Sequence, residues 1–367
     1  MSVRRGWCPT AWRPMAAGDG LLLRVRPPLG RITADQARLI ADVAARHGNG
    51  AIDLTNRAAL QLRGLGEAGW RVALDMLVDA GLVDADPVRD ARSIMVAPDW
   101  RDGDDTLRIA TALSVRLAEL PQLPAKFGIA IDAGPACVLG DASADLRVER
   151  ADTGALMLRA DGRAGGIAVP TGEEVDAILA LAKWFVATGG TAAGRMARHA
   201  APLPVWATGN LRPRRSEGPL ADDPRAYPLP FGRIAADVLK ALTDQSGVTA
   251  LRLTPWRALL LEGATAPRSD WSDLRHVDAC IGAPACPQGS VATRPLATAL
   301  APLVIGTLHV SGCDKGCARR NRADVVLTGR EGRFDLAIDA RAGAPPIVRG
   351  LTHEQVLAHF KGLTRAA

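Results

Sequence analysis

Two pairs of cysteines lie close together in the C-terminal third of the sequence. Five residues separate Cys280 from Cys286, and three separate Cys313 from Cys317. Four thiolates are the ligand set that an iron–sulfur cluster needs, because soft sulfur ligands suit iron bound to sulfide. The paired spacing therefore predicts a [4Fe–4S] cluster held by all four cysteines.

Glycines and basic residues surround these cysteines. The glycines are Gly282, Gly289, Gly312 and Gly316, and the basic residues are Lys315, Arg319 and Arg320. Glycine lets the backbone approach a bulky cluster, and backbone N–H groups that reach its sulfur atoms raise its reduction potential. The alternatives are free thiols or a zinc site, but structural zinc favours two to four residues between paired cysteines.

The elements that must position these groups occur twice along the chain. Residues 29–35 resemble residues 231–237, and residues 51–64 resemble residues 250–263. In both copies the apolar pattern predicts a helix followed by a strand, a turn and a second strand. The matching order and spacing indicate a duplicated protein.

Helix boundaries can be predicted within each copy. In the first copy Thr33 and Gln36 have the spacing of a capping box, and Gly48 follows the last apolar position. In the second copy Gly247 is the predicted stop. The longer regions around residues 90–195 and 274–362 alternate helix-like and strand-like runs, which is typical of α/β units.

The predicted fold class is α+β, with a pseudo-two-fold duplication of a ferredoxin-like half-domain and a larger α/β domain. A proline-rich segment separates the halves and is predicted to be a linker. The predicted units are residues 1–88 (N-terminal segment and first half-domain), 89–198 (first α/β domain), 199–226 (linker), 227–268 (second half-domain) and 269–367 (second α/β domain with the cysteines).

The cysteine spacing and three further motifs resemble the sulfite/nitrite reductase superfamily. Residues 55–61 resemble its Thr-x-Arg…Gln segment, residues 92–94 its Arg-Asn-Val, and residues 123–127 its Leu-Pro-x-Lys-Phe. The resemblance implies the duplicated architecture and a [4Fe–4S] cluster coupled to sirohaem, with Cys317 as the possible bridge to haem iron. It also implies that Arg57, Arg92 and Lys126 are catalytic cations facing the tetrapyrrole.

Residues 14–22, 279–286 and 309–319 look like the precorrin-3B synthases, a branch of this superfamily in aerobic cobalamin biosynthesis. The reductases commonly place a second lysine at the position of Gly128, where a dense cationic pocket binds an oxyanion. The resemblance implies an oxidoreductase, a monooxygenase that hydroxylates precorrin-3A with O2 and closes a lactone. The alternative is a sirohaem-dependent sulfite or nitrite reductase.

The remaining site predictions concern substrate, cofactor and electron donor. Gln61 and Arg63 alternate with Leu62, so both are predicted to face the ligand from one side of a strand. Sirohaem or a mononuclear iron is left open as an additional cofactor. No nucleotide-binding glycine motif is present, so electrons are expected from a ferredoxin or an NAD(P)H-dependent reductase.

Composition limits the other function classes. The 367 residues include 40 arginines and five lysines and carry a formal net charge of +6, which suits an anionic ligand. No basic run is interleaved with aromatic residues, so nucleic-acid binding is not expected. No apolar stretch reaches the roughly 18 residues of a membrane span, and the N-terminus lacks a signal-peptide pattern. We therefore expect a cytoplasmic protein, with Cys8 and Cys137 as inert residues outside the motif.

Overall fold

The computed structural model describes residues 7–216, 223–267 and 274–366, with side chains described as far as residue 362. Part of the predicted linker and the predicted boundary between residues 268 and 269 lie outside these ranges.

Helices and short strands alternate throughout the described chain. The helices are α1 Ala34–His47, α2 Glu67–Asp79, α3 Pro87–Asp90, α4 Asp105–Val115, α5 Glu174–Ala187, α6 Gly190–Ala193, α7 Ala236–Thr243, α8 Arg294–Leu300 and α9 His353–Ala366. The 3-10 turns are Pro28–Gly30, Leu117–Glu119, Met196–Arg198, Val205–Ala207, Pro230–Gly232 and Ala301–Leu303. The strands are β1 Met15–Ala17, β2 Gly20–Val25, β3 Arg31–Thr33, β4 Ala51–Leu54, β5 Leu60–Leu65, β6 Ser93–Val96, β7 Gly128–Asp132, β8 Leu146–Arg150, β9 Leu156–Ala160, β10 Ile167–Ala168, β11 Ala226–Pro228, β12 Arg233–Ala235, β13 Ala250–Leu253, β14 Ala258–Glu262, β15 Val277–Ala279, β16 Leu308–Ser311, β17 Ala323–Arg330, β18 Arg333–Ala340 and β19 Val348–Leu351.

Two five-stranded sheets have the same topology. One has the order β10-β9-β8-β7-β6 and the other β15-β16-β17-β18-β19. In each, the first three strands in chain order are parallel and the last two add antiparallel. The predicted duplicated α+β fold is confirmed.

Two further sheets, one of five strands and one of four, exchange one strand with each other. Their orders are β1-β2-β5-β4-β12 and β11-β14-β13-β3. β12 pairs with β4 of the other half, so that Arg233 lies opposite Asp53, and β3 pairs with β13, so that Arg31 lies opposite Arg252. The two halves are therefore locked together by their backbone hydrogen bonds.

The helix that follows each exchanged strand begins differently. At α1 the hydroxyl of Thr33 accepts from the N–H of Gln36 at 3.2 Å, and the Gln36 side chain accepts from the Thr33 N–H at 2.9 Å. This is the predicted capping box, and Gly48 is the C-cap. At α7 the N-cap is Ala235, whose methyl side chain cannot cap.

The core is mainly aliphatic and divides among the sheets. The largest cluster lies beneath the exchanged sheets and includes buried side chains of α1 such as Ile40 and Val43. Each α/β sheet has its own apolar cluster. Within the described chain no helix combines the length and apolarity needed to cross a membrane.

Candidate functional site

A cavity of about 1150 Å³ lies where the exchanged sheets meet the C-terminal α/β unit. Strands β1, β2 and β5 contribute side chains to one side, and the loops after β15 and β16 contribute to another. Small-molecule sites usually occupy about 300–1,000 Å³. This cavity therefore has room for a ligand larger than a typical small metabolite.

All four cysteines of the predicted cluster motif line this cavity. The motif cysteines are Cys280, Cys286, Cys313 and Cys317. Cys280 follows β15 directly, and Cys313 follows the end of β16 by two residues. Because β15 and β16 are parallel neighbours, their carboxyl ends meet at one edge of the sheet and bring the two loops together. None of the four forms a disulfide.

Three glycines pack tightly behind the cysteines. The N–H of Gly312 donates to Sγ of Cys280 at 3.1 Å. A Cβ atom on Gly312 would lie 3.1 Å from Cα of Gly282 and 3.3 Å from Cα of Gly289. Backbone in place of side chains leaves space and N–H groups beside the sulfur atoms. These residues fit an iron–sulfur cluster.

The donor set also bears on the zinc alternative. Among the residues the structure describes, no three His, Cys, Asp or Glu side chains are grouped closely enough to hold one metal ion. A four-iron cluster spaces its ligands more widely than a single ion does.

Gln61 and Arg63 both line the cavity, while Leu62 between them is buried in the core. Arg63 is only 6% exposed, and its guanidinium donates to both carboxylate oxygens of Asp19 at 2.9 Å. The side chain is therefore fixed in one position before any ligand binds.

Two further arginines in the cavity wall were missed by the sequence reasoning. Nε and Nη1 of Arg294, and Nε of Arg24, are buried without a hydrogen-bond partner in the described chain. The nearest carboxylate oxygen to Arg294 belongs to Asp53, at 3.6 Å, and burial lowers the pKa of Arg294 to about 10. Arg294 begins α8, where the helix dipole disfavours a cation. An arginine at the start of a helix was therefore the sequence feature that could have indicated a binding role for Arg294.

The three predicted catalytic cations lie outside the wall of the large cavity. Arg92 directly precedes β6, Lys126 lies two residues before β7, and Arg57 comes from the turn between β4 and β5. The guanidinium of Arg57 donates to the carbonyl of Lys126 at 2.9 Å and contacts Ser93 Oγ at 3.4 Å. Burial lowers the pKa of Arg57. The Lys126 side chain is exposed.

Arg92 donates to the carbonyls of Leu120 and Pro121, both at 2.9 Å, and lines a second cavity of about 620 Å³. The structure brings Arg57 to the backbone of Lys126 without directing these three cations at the cysteines. Their catalytic role stays a prediction.

Comparison with known proteins shows which proteins this chain resembles. Residues 13–69 match the family described as the nitrite/sulfite reductase ferredoxin-like half domain. Over 94% of its length the chain is 29% identical to a precorrin-3B synthase of Sinorhizobium sp, of which it covers 85%. Over 36% of its length it is 33% identical to a ferredoxin–nitrite reductase of Synechococcus elongatus, of which it covers 28%.

The predicted resemblance to the sulfite/nitrite reductase superfamily is confirmed. The solved structure of the NirA protein of Mycobacterium tuberculosis matches with a TM-score of 0.64 at 17% identity, over 95% of this chain and 80% of that one. At that identity the match describes the fold alone. The fold of that structure thus extends over nearly the whole of this chain, beyond the matched half-domain.

Proposed function

We propose that the protein is a precorrin-3B synthase-like monooxygenase, which hydroxylates precorrin-3A with O2 and closes a lactone with a ring acetate. The observation that carries this proposal is one large cavity with four cysteines in one wall and arginines in the others. Precorrin-3A is a flat macrocycle fringed with carboxylates. Arginine suits such a ligand because its planar guanidinium binds carboxylate through two hydrogen bonds.

The motif cysteines are proposed to hold the [4Fe–4S] cluster, which would supply electrons one at a time for the activation of O2. Cys317 is the one exposed thiol among the four, and we propose it as the ligand that faces an additional iron centre, either sirohaem or mononuclear iron. Electrons are proposed to come from a ferredoxin or an NAD(P)H-dependent reductase, since no nucleotide motif occurs in the sequence.

The arginines are proposed to bind and orient the substrate. Arg24 and Arg294 have buried guanidinium N–H groups without partners in the described chain, and substrate carboxylates would satisfy them. Arg63 and Gln61 would contact the same ligand from β5. We propose that Arg57, Arg92 and Lys126 are the catalytic cations, a role that requires the substrate to extend beyond the wall of the large cavity to the amino ends of β6 and β7.

Position 128 favours the oxygenase over the reductase alternative. A Cβ atom on Gly128 would lie 3.7 Å from Nη1 of Arg57, so the Arg57 side chain occupies space beside the position of the reductases' second lysine. An oxyanion reductase needs cations that converge on the anion. Here Arg57 and Arg92 are bonded to backbone carbonyls instead.

Metal, chromophore and turnover measurements test the proposal. Protein purified without oxygen should contain iron and sulfide, and it should convert precorrin-3A only when O2 and a reduced electron donor are supplied. Sirohaem absorption bands together with sulfite or nitrite reduction, and no conversion of precorrin-3A, would establish the reductase instead.

Arg294→Ala tests the substrate-binding wall. A charge-assisted hydrogen bond is worth about 1.5–3 kcal/mol, so we expect precorrin-3A to bind roughly 10- to 100-fold more weakly with the iron content unchanged. Arg57→Ala should also weaken binding without loss of the cluster. The control is Arg322→Ala, which removes an exposed arginine paired with Asp339. Equal affinity in the Arg294 variant and this control would remove Arg294 from the site.

A further inference from the structure

We propose that the turn between β1 and β2 holds the loop of residues 280–286 in place, with Asp19 as the positioning residue, and thereby slows loss of the cluster. The inference rests on the proposed [4Fe–4S] cluster. It assigns a role to the motif of residues 14–22, which the proposed function does not use.

The first observation is that this turn contacts the loop between the first two motif cysteines. The N–H of Gly18 donates to the carbonyl of Ala285 at 3.1 Å. A Cβ atom on Gly18 would lie only 2.4 Å from the carbonyl oxygen of Pro284. Glycine is therefore required for the two backbones to approach this closely. The contact joins two of the motifs singled out in the sequence, residues 14–22 and 279–286.

The second observation is that a buried arginine fastens the turn. Nε and Nη2 of Arg63 each donate to a carboxylate oxygen of Asp19 at 2.9 Å. Oδ2 of Asp19 also accepts from the Asn49 side chain at 3.0 Å. Nη2 of Arg63 lies 3.5 Å from the Ala285 carbonyl oxygen. Arg63 therefore contacts both the turn and the cysteine loop, and its two parallel bonds to Asp19 fix the geometry between them.

The third observation is the place on the loop where the turn is attached. Ala285 directly precedes Cys286, and both line the large cavity. From its own α/β unit the loop is held by the N–H of Ala283, which donates to the Val291 carbonyl at 2.8 Å. The β1–β2 turn adds a second attachment beside a proposed iron ligand. Because a cluster can leave only when its ligand loop moves, a loop attached at both places opens less often.

Removal of the Asp19 carboxylate should make the cluster easier to lose. Asp19→Asn keeps the size of the side chain but loses the charge-assisted pair with Arg63. A hydrogen bond to a charged group changes an equilibrium constant by about tenfold or more, so we expect a chelator to remove iron about tenfold faster from this variant. Gly18→Ala should act in the same direction, because its methyl group separates the turn from Pro284. Asp19→Glu keeps the charge and should restore part of the retention.

The experiment uses the full-length protein purified without oxygen. After iron and sulfide are measured, the ferrous chelator ferrozine is added and the loss of visible absorbance is followed. The control for Asp19→Asn is Asp84→Asn, whose carboxylate accepts from Arg89 at 2.8 Å. The control for Gly18→Ala is Gly66→Ala, whose Cβ atom would meet nothing within 4 Å. Urea unfolding of each variant distinguishes loosening of the loop from loss of the whole fold.

Hydrogen–deuterium exchange of the wild type gives a measurement that needs no variant. If the turn stabilises the bound cluster, the cluster must stabilise the turn to the same extent. Removing the cluster from the wild type should therefore speed exchange in residues 14–22. Residues 105–115, which form α4 in the other α/β unit, should exchange at an unchanged rate.

Faster iron loss in Asp19→Asn and Gly18→Ala than in their controls, with partial return in Asp19→Glu, would support the proposal. Wild-type rates in both variants, in protein that contains the cluster, would overturn it and leave the proposed function intact. A wild type without iron and sulfide would overturn the cofactor proposal as well. If the variants fail to fold or to assemble the cluster, exchange in the wild type decides, and an unchanged rate in residues 14–22 would overturn the proposal.

Discussion

The two α/β sheets, β6–β10 and β15–β19, have equivalent loops, but only one of the sheets has cavity-lining cysteines in them. In each sheet the first two strands are parallel, and the loops that follow them lie at the same edge. After β15 and β16 these loops carry the motif cysteines and open into the large cavity. After β7 the loop closes on itself: Oδ2 of Asp132 accepts from the N–H groups of Val138 and Leu139 at 3.0 and 2.7 Å. Both sheets have the same strand arrangement. A cofactor can bind at this edge only where the side chains of the loops are not already hydrogen-bonded within the protein.

Cys137 illustrates the difference within one residue type. It lies in the closed loop after β7, only 4% exposed. Burial, followed by the nearby Asp132 and Glu149 carboxylates, raises its pKa to about 12. A thiol that stays protonated is a poor nucleophile and a poor metal ligand. This environment suits the inert role predicted from its position outside the motif.

The largest expected effect comes from exchanging cysteine for serine in the two loops. Cys313→Ser, like Cys280→Ser, should abolish the visible absorbance of the cluster, because the cluster loses one of its four ligands. Cys137→Ser, in the N-terminal counterpart, should leave iron and sulfide content unchanged. Both are measured by metal and sulfide analysis. Full iron content in Cys313→Ser would remove that residue from the ligand set.

Glycine substitutions compare the packing of the same loops. A Cβ atom on Gly282, whose φ is +63°, would lie 2.7 Å from the Val291 carbonyl oxygen. Backbone strain of about 1–2 kcal/mol and overpacking of about 1–3 kcal/mol predict that Gly282→Ala loses about 2–5 kcal/mol of unfolding free energy in urea. Gly134→Ala is the control, since its nearest neighbour would lie 3.8 Å away. Equal stability of the two variants would contradict the close packing.

The features that could be predicted from the sequence are those set by residues close together in the chain. The spacing within each cysteine pair, the capping box at Thr33 and Gln36 and the alternation of Gln61 with Arg63 each depend on residues a few positions apart. All three are visible in the structure, where they form one cavity wall or one helix start.

What the sequence did not reveal depends on distant partners. Both copies of the exchanged strand were recognised as a repeat, but pairing β3 with β13 requires contacts more than 200 residues apart. The orientation of Arg57 is likewise set by acceptors on other segments, Ser93 and the Lys126 carbonyl. A motif identifies such a side chain without stating where its long, flexible end will lie.

The closed loop should also give the N-terminal half its own pH dependence. Burial raises the pKa of Asp132 to about 6 from an ordinary value near 3.8. Between about pH 4 and 6 the folded state keeps a proton that the unfolded chain releases, so this group's contribution to stability is lost as the pH rises. Asp132→Asn cannot ionise. It should therefore gain about 1–3 kcal/mol over the wild type by pH 7, at about 1.36 kcal/mol per pKa unit.

Urea unfolding from pH 4 to pH 8 measures this difference. The advantage of the variant should grow up to about pH 6 and then level off. A difference that does not change with pH would mean that the Asp132 carboxyl is not the titrating group.

The smallest expected effect compares the two helix starts. Thr33→Ala removes the capping box of α1 and should cost about 1 kcal/mol of unfolding free energy. Ala235 is exposed and offers no cap to α7, but the Ala236 N–H already donates to the Gly50 carbonyl and the Val238 N–H to the Asp237 carboxylate, both at 2.9 Å. Ala235→Ser should therefore stabilise the protein by at most about 0.5 kcal/mol, because its hydroxyl can accept from the Asp237 N–H. Thermal and urea unfolding measure both changes. If Ala235→Ser gained as much stability as Thr33→Ala lost, the bonds to Gly50 and Asp237 would not satisfy the first turn of α7.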